Sequence, residues 1–302
     1  MDLLKVKKGI THAGKFHTDD VLSTVLLQTL NPNIKIIRVN QYDANDIDKS
    51  EISFDIGLGK FDHHQENREV DDYGYPYSAF GKLWREFGKE CLKKYGFTKI
   101  DEAFLIFNRT YVSRIDQGDN EGYQNVEPKF YENDLIMNFN PSWFELKNNL
   151  NASSEQFFKA VEFAKALFNN WMRQLYEQIE LIDVEESIWN KAINNEKDGI
   201  IVLDERIPWQ TFAKKNKDNN VKMVVSKNER GGYSVISKNS YLFKIRKCQY
   251  LSFVHPSNFM GVANTLENAI SAAKYSLNLC FVDWVGTKNR QKLNNINKMR
   301  TL

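Results

Sequence analysis

The chain has 302 residues, of which 42% are hydrophobic and 13% aromatic, and its formal net charge is +2. That composition excludes a disordered chain, and the near-neutral balance excludes a global field that would gather nucleic acid, so any polyanion site must be a local patch. Three cysteines (Cys91, Cys248, Cys280) lie far apart with no C-x-x-C pair, and no apolar run reaches the roughly 18 residues of a membrane span, so the expectation is a cytoplasmic protein with buried thiols and no membrane partner.

Leu4–Thr11 reads as a first strand, with Val6 and Ile10 apolar, and runs into His12-Ala-Gly-Lys-Phe-His17-Thr-Asp19-Asp20. Val21, Leu22, Val25, Leu26 and Leu30 then recur at helical spacing, so a helix begins near Asp19 and stops before Pro32. Asp19 or Asp20, with Thr18 competing, suits its N-cap. Ile34–Val39 and Ile52–Asp55 are the second and third strands. The third opens into FDIGLGKFDHHQ (Phe54–Gln65), where Gly57 and Gly59 allow a tight turn around two aspartates and two adjacent histidines. One His-His pair alone is as readily a polar surface loop. Four of the five histidines (His12, His17, His63, His64) fall in the first 64 residues, however, beside carboxylates.

Strand, helix, strand and strand with polar residues bunched after the strands describe a doubly wound, mostly parallel α/β domain, in which His12 and Asp55 emerge on one edge of the sheet. Ser78–Tyr95 reads as a helix capped by Ser78 and stopped by Gly96. Asp101–Ile115 is another, ending in an acidic turn where Asp116 reads locally as a solvated residue. Ser153 or Ser154 caps a long helix through Phe157, Val161, Ala164, Phe168, Trp171, Leu175 and Ile182. From about Asp198 short strands take over: Ile200–Leu203, Val221–Ser226 and Tyr233–Ser237, the last two joined by an Asn228–Gly232 hairpin. Leu251–Val254 follows, with a last helix capped at Thr265 or Asn264. The expected organisation is a catalytic domain over 1–150, a linking helical segment over 151–197, and a smaller mixed α/β domain over 198–302 that ends in a basic tail, Lys288–Arg300.

His12, His17, Asp19, Asp55, His63, His64 and Asp116 are the candidates for a site. Three histidines and three aspartates suffice for two divalent cations about 3.5–4 Å apart, the arrangement that clamps a phosphoryl displacement.

THAGKFHTDD, DIGLGKFDHHQ and RIDQGD resemble the ordered motifs of the DHH phosphoesterase superfamily, most closely its melanocyte-proliferating-gene (MYG) family. YPYSAFGKLWREFG, NPSW, RIPW and FVHPSNFMG extend the resemblance over nearly the whole chain. It implies a two-domain hydrolase with a DHH-like first domain and two divalent ions, Mn2+ the first choice, acting as a 3′–5′ exonuclease on RNA or short oligonucleotides. Carried onto this chain, it implies metal ligation by His12, His17, Asp19, Asp55, His63 and Asp116. It places His64, Asp62 and Asp20 as catalytic residues, His64 facing the phosphate or leaving group and Asp62 orienting the pair. His64, His255 and Ser257 would bind substrate, with Arg114, Lys15 and Lys60 together as weaker cations around the cleft that read more readily as ordinary surface charges. The shortened Asn239–Lys247 segment and the altered glycine pair near Gly261 keep open a small phosphoanhydride or nucleotide as substrate. A non-catalytic metal-dependent binding module is the third reading. The Phe- and Trp-rich surfaces are compatible with a homodimer.

Overall fold

A computed structural model describes residues 2–43, 48–215 and 220–280; the expected basic tail lies outside the described residues. The chain forms two compact units, Met1–Leu181 and Ile182–Leu302.

In the first unit, β1 (Lys8–His12) lies between β2 (Lys35–Val39) and β3 (Glu51–Ser53), and both neighbours run parallel to it. Gly9 permits this packing, because a Cβ there would sit 2.7 Å from Ile36 Cδ1. The crossover helix α1 (Thr18–Leu30) is buried on nearly every side, with Val21, Leu22, Val25, Leu26 and Leu27 all sealed. A helix apolar all round belongs inside a core, and α1 packs against α2 (Ala79–Lys94) and α7 (Ala152–Ile179). Helix α2 has the expected limits: the Ser78 hydroxyl accepts from the Gly81 N–H at 3.2 Å, and Gly96 ends it at φ +86°. Its Trp84 centres an aromatic core, 4.3 Å from Phe107 and in contact with Phe104 and Phe168.

The next helix departs from expectation. α3 (Ile100–Phe107) passes through a π-helical turn at Asn108–Val112 into α4 (Ser113–Glu121), so Asp116 and Asp119 are helical rather than in a loop. Gly118 reads as a turn residue in sequence, but the helix needs it for another reason: a Cβ would lie 2.2 Å from the Tyr123 ring. The stop is Gly122, at φ +92°. The π turn adds a residue to the helical circuit and so resets which side chains face inward.

Two short helices follow, α5 (Tyr131–Met137) and α6 (Trp143–Asn148). Asn151 precedes α7, and neither Ser153 nor Ser154 caps it; the Ser153 hydroxyl instead donates to the Gly14 carbonyl. Phe157, Val161, Ala164, Phe168, Trp171, Leu175 and Ile179 of α7 all belong to the first unit's core. The segment expected to link the domains therefore divides near residue 181. α7 is built into the first unit, and α8 (Ile182–Asn194) opens the second, where Trp189 stacks against Phe212.

The second unit has a mixed five-stranded sheet in the order β4 (Ile200–Leu203), β5 (Met223–Lys227), β6 (Tyr233–Ser237), β8 (Met260–Ala263) and β7 (Phe253–Val254). Only β4–β5 is parallel. The Asn228–Gly232 hairpin joins β5 to β6 as expected. Strand β8 is not legible as a strand in sequence, since Gly261 interrupts it; here the glycine admits Leu251 and Ile245. A short helix α9 (Trp209–Lys215) packs with α8, and the helix over 266–280 covers the sheet through Ala269, Ala272 and Ala273. Among the described residues no helix is long and apolar enough to cross a membrane.

Candidate metal centre

His12 ends β1. Its Nδ1 lies 2.9 Å from the Ala13 carbonyl; a carbonyl only accepts, so Nδ1 carries the proton and Nε2 is left to face other groups. Those groups are Asp20 Oδ2 and Asp55 Oδ2, each at 3.1 Å. The loop that follows is tied down on both sides. Arg38 donates to the His12 carbonyl at 3.1 Å and to the Gly14 carbonyl at 2.9 Å. The Asn140 amide brackets Phe16, accepting from its N–H at 3.1 Å and donating to its carbonyl at 2.9 Å.

His17 is the N-cap of α1, so the helix begins at Thr18. Asp20 is three residues into it and accepts the His17 N–H through Oδ1 at 3.0 Å, leaving Oδ2 for His12. Asp19 Oδ2 accepts from the Ala79 N–H at 3.2 Å, at the amino end of α2, where the helix dipole favours a carboxylate.

Asp55 follows β3 in a left-handed conformation, φ +55°, as does Leu58 at φ +58°. Such backbone is strained for a residue with a side chain. It turns the chain so that one carboxylate faces two imidazoles: Asp55 Oδ1 is 3.0 Å from His63 Nε2 while Oδ2 faces His12. The turn is held by Asp62, whose Oδ2 accepts from the Leu58 N–H at 2.7 Å and whose Oδ1 lies 2.7 Å from His64 Nδ1. Buried Lys82 donates from behind to the Asp62 carbonyl at 2.5 Å. The expected orienting role of Asp62 thus has a geometric basis toward His64, whose other ring face is open to solvent.

Three overlapping triads converge here: His12, His17 and Asp55; Asp55, His63 and His64; His17, Asp19 and Asp119. Within each triad the ligand atoms lie within 4.8 Å of one another. Asp119 was not among the sequence candidates. It reaches the cluster because α4 continues past Asp116, and its Oδ2 is 3.2 Å from His63 Nε2. The acid named in its place, Asp116, does not join. Its Oδ1 accepts from the Ser78 N–H at 2.9 Å and the Ser78 hydroxyl at 2.6 Å, so it anchors the start of α2. A Cβ on Gly81 would come within 2.2 Å of the same oxygen, and that fit fixes the carboxyl in place. The acidic pair of RIDQGD was visible in sequence; the helical i, i+3 spacing that gives each acid a different neighbour was not.

The electrostatics are those of a cation site. Burial raises the carboxyl pKa values of Asp19, Asp20 and Asp119, with neighbouring carboxylates adding to the rise. Asp55 is held low despite burial, because His12 and His63 both face it. Burial alone would lower His12, but Asp20 and Asp55 push it up to about 10. Among the described residues six buried carboxylate oxygens make no hydrogen bond of good geometry. Asp71 Oδ2 and Asp116 Oδ2 are two of them, and the other four, Asp19 Oδ1, Asp20 Oδ2, Asp55 Oδ1 and Asp119 Oδ2, lie in this cluster, the last three within 3.0–3.2 Å of an imidazole nitrogen. Buried carboxylate oxygens interleaved this closely with imidazole nitrogens fit divalent Mn, Fe or Zn.

Arg114, expected at substrate, is engaged elsewhere: it donates to the Pro128 carbonyl and lies over the Phe130 ring at 4.9 Å. Lys60 pairs with Glu86 at 2.8 Å. In the second unit, His255 borders a groove of about 630 Å³ with Arg206, Arg230, Asn228 and Phe253. The Ser257 N–H donates to His255 Nδ1 at 3.1 Å, which leaves the ring proton on Nε2. Ser257 itself positions the ring and does not border the groove.

Residues 8–248 match the family model MYG1_exonuc, described as Uncharacterised protein family (UPF0160). The chain is 26% identical to the MYG1 protein YER156C of Saccharomyces cerevisiae, over 90% of this chain and 96% of that protein. It is 25% identical to the MYG1 protein of Dictyostelium discoideum, over 89% and 95%. It is 21% identical to a Homo sapiens protein named MYG1 exonuclease, over 88% and 85%. No solved structure matches the chain significantly.

Proposed function

The chain belongs to the MYG1 family (UPF0160), and on that premise we propose that it is a metal-dependent phosphoesterase of DHH type that trims RNA or short oligonucleotides from the 3′ end. The observation that carries this reading is the convergence of His12, His17, Asp19, Asp55, His63 and Asp119, with buried carboxylate oxygens set 3.0–3.2 Å from imidazole nitrogens. Relatives named exonuclease support the polymer substrate.

These six residues would hold two divalent cations, with Asp55 shared between His12 and His63. When bound, such cations lower the pKa of water and neutralise a phosphoryl group. The protein's own contribution is placement. The left-handed turn at Asp55 aims one carboxylate at two imidazoles, and Arg38 and Asn140 fix the His12–His17 loop. Asp20 faces His12 through Oδ2 while its Oδ1 caps the amino-terminal end of α1.

His64 is 59% exposed in its side chain and donates Nδ1–H to Asp62, so in its imidazolium form Nε2–H is the second proton, free to be given to a phosphate or leaving oxygen. The Asp62 hydrogen bond raises its pKa, which keeps that proton available nearer neutrality. The groove beside His255, Arg206 and Arg230 is assigned to substrate phosphate in the same reading.

The test is purified protein with Mn2+, given 5′-labelled RNA and inorganic pyrophosphate in parallel. Progressive shortening of the RNA from its 3′ end, abolished in D55A and H63A, is the expected result. Cleavage of pyrophosphate alone would favour a small phosphoanhydride as substrate. Turnover surviving either substitution would overturn the mechanism.

A further inference from the structure

Lys82, in the first turns of α2, is 8% exposed, and among the described residues it pairs with no carboxylate. A lysine is seldom buried without such a partner, because its ammonium then leaves water with no counter-charge. What Lys82 meets instead are two oxygens of one turn. Its Nζ donates to the Asp62 carbonyl at 2.5 Å and reaches Gln65 Oε1 at 3.5 Å. The buried charge is therefore directed at the turn that carries the adjacent histidines.

The Asp62 carbonyl belongs to the peptide bond that begins His63, so its direction sets the plane from which that side chain leaves the backbone. His63 Nε2 then meets Asp55 Oδ1 at 3.0 Å and Asp119 Oδ2 at 3.2 Å. The turn before it is strained, with Asp55 and Leu58 both left-handed. Its other carbonyls are gathered beside the same lysine: Gln65 Nε2 donates to Leu58 at 2.7 Å and to Gly59 at 2.8 Å. The opposite end of Lys82 is equally fixed. The Ala79 N–H sits on Asp19 Oδ2 at 3.2 Å, and Ser78 donates twice to Asp116, one helical turn from Asp119 on α4. The start of α2 thus joins the segments bearing Asp19, Asp119 and His63, and Lys82 is its link to the last.

We propose that Lys82, together with Gln65, is a positioning residue that holds His63 in place for one of the two cations. This rests on the two-cation reading for its purpose, but the bracing it asserts is measurable in metal-free protein.

The experiment compares the full-length wild type with K82M, which keeps the chain length and removes the ammonium, and with K82R and Q65L. Amide hydrogen exchange of the metal-free proteins is followed by mass spectrometry, and Mn2+ is then titrated in by calorimetry. In K82M, exchange over residues 54–65 should quicken roughly tenfold, as loss of one buried hydrogen bond allows, while exchange over α1 stays as in wild type. One Mn2+ should bind about 10- to 100-fold more weakly, the effect of removing a group that orients a ligand, and the other should bind as before. K82R, which keeps a charged donor, should recover part of that affinity. Q65L, at a partly exposed position that is safer for the fold, should weaken the same ion. Unchanged exchange over 54–65 in K82M overturns the brace. So does equal weakening of both ions with faster exchange over α1, since Lys82 would then only support the fold. If wild type takes up one ion or none, yet K82M quickens exchange over 54–65 and not over α1, the brace stands and the two-cation reading alone fails.

Discussion

Alanine at Asp116 and at Asp119, one at a time, separates an acid that holds the fold from an acid that faces the cations. Removing the Asp116 carboxyl leaves the Ser78 N–H and hydroxyl, now at 2.9 and 2.6 Å from its Oδ1, without their acceptor at the buried start of α2. A buried donor left unsatisfied costs about 1–3 kcal/mol. The hydroxyl can rotate and the amide cannot, so the expected loss is about 3 kcal/mol, read by urea unfolding followed by circular dichroism. The manganese content of D116A, by elemental analysis after gel filtration, should match wild type. D119A should behave in the opposite way. Burial, the largest influence on the Asp119 carboxyl, raises its pKa against the pull of His63 at 3.2 Å, so removing it relieves a buried acid and costs little stability in metal-free protein. Its manganese content should fall. D116A that loses manganese at unchanged stability, beside D119A that keeps it, would refute the assignment.

The Asp62 hydrogen bond raises the His64 pKa, so D62N should lower it, and the alkaline limb of kcat/KM should move to lower pH; an unmoved limb would remove His64 as proton donor. Asp19, Asp20 and Asp119 have raised pKa values in the folded chain, so metal-free protein binds more protons folded than unfolded and loses stability as pH rises above about 4. Asp55, held low, works the other way, but its contribution is lost only as pH falls through its depressed value, below that window. The Mn2+-induced rise in Tm should therefore grow from about pH 5 to about pH 8, as ligand deprotonation requires; a rise independent of pH would count against buried carboxylate ligands. G118A places a Cβ 2.2 Å from the Tyr123 ring, so overpacking should cost about 1–3 kcal/mol and, by shifting the adjoining Asp119, lower manganese affinity in calorimetric titration.

Where local chemistry sets the structure, the sequence was enough. The periodicity of α1, the Ser78 and Gly96 limits of α2, and the Asn228–Gly232 hairpin each follow from side chains acting within a few residues. The placement of His12 and Asp55 was legible because strand ends in a parallel sheet share an edge, and His17 and His63 follow them in the short loops that leave those strands. Long-range packing hid the rest. Gly118 looks like a helix stop until Tyr123 is seen resting against it, and with the helix ended early the choice between Asp116 and Asp119 could not be made. Arg114 looks like a free cation until Phe130 and the Pro128 carbonyl appear beside it. β8 was lost to Gly261, which is there for Leu251 and Ile245. Asn140, Arg38 and Lys82 brace the site from elements distant in sequence, and no motif marks them.

The most direct test is electron paramagnetic resonance of the Mn2+-loaded full-length protein, with the metal counted on the same sample. Two manganese ions per chain with an exchange-coupled spectrum are expected for wild type, and the coupling should be lost in D55A, since Asp55 is the carboxylate that, among the described residues, faces both His12 and His63. Fewer than one tightly bound ion per chain, or a spectrum that D55A leaves unchanged, would contradict a shared centre built by these residues.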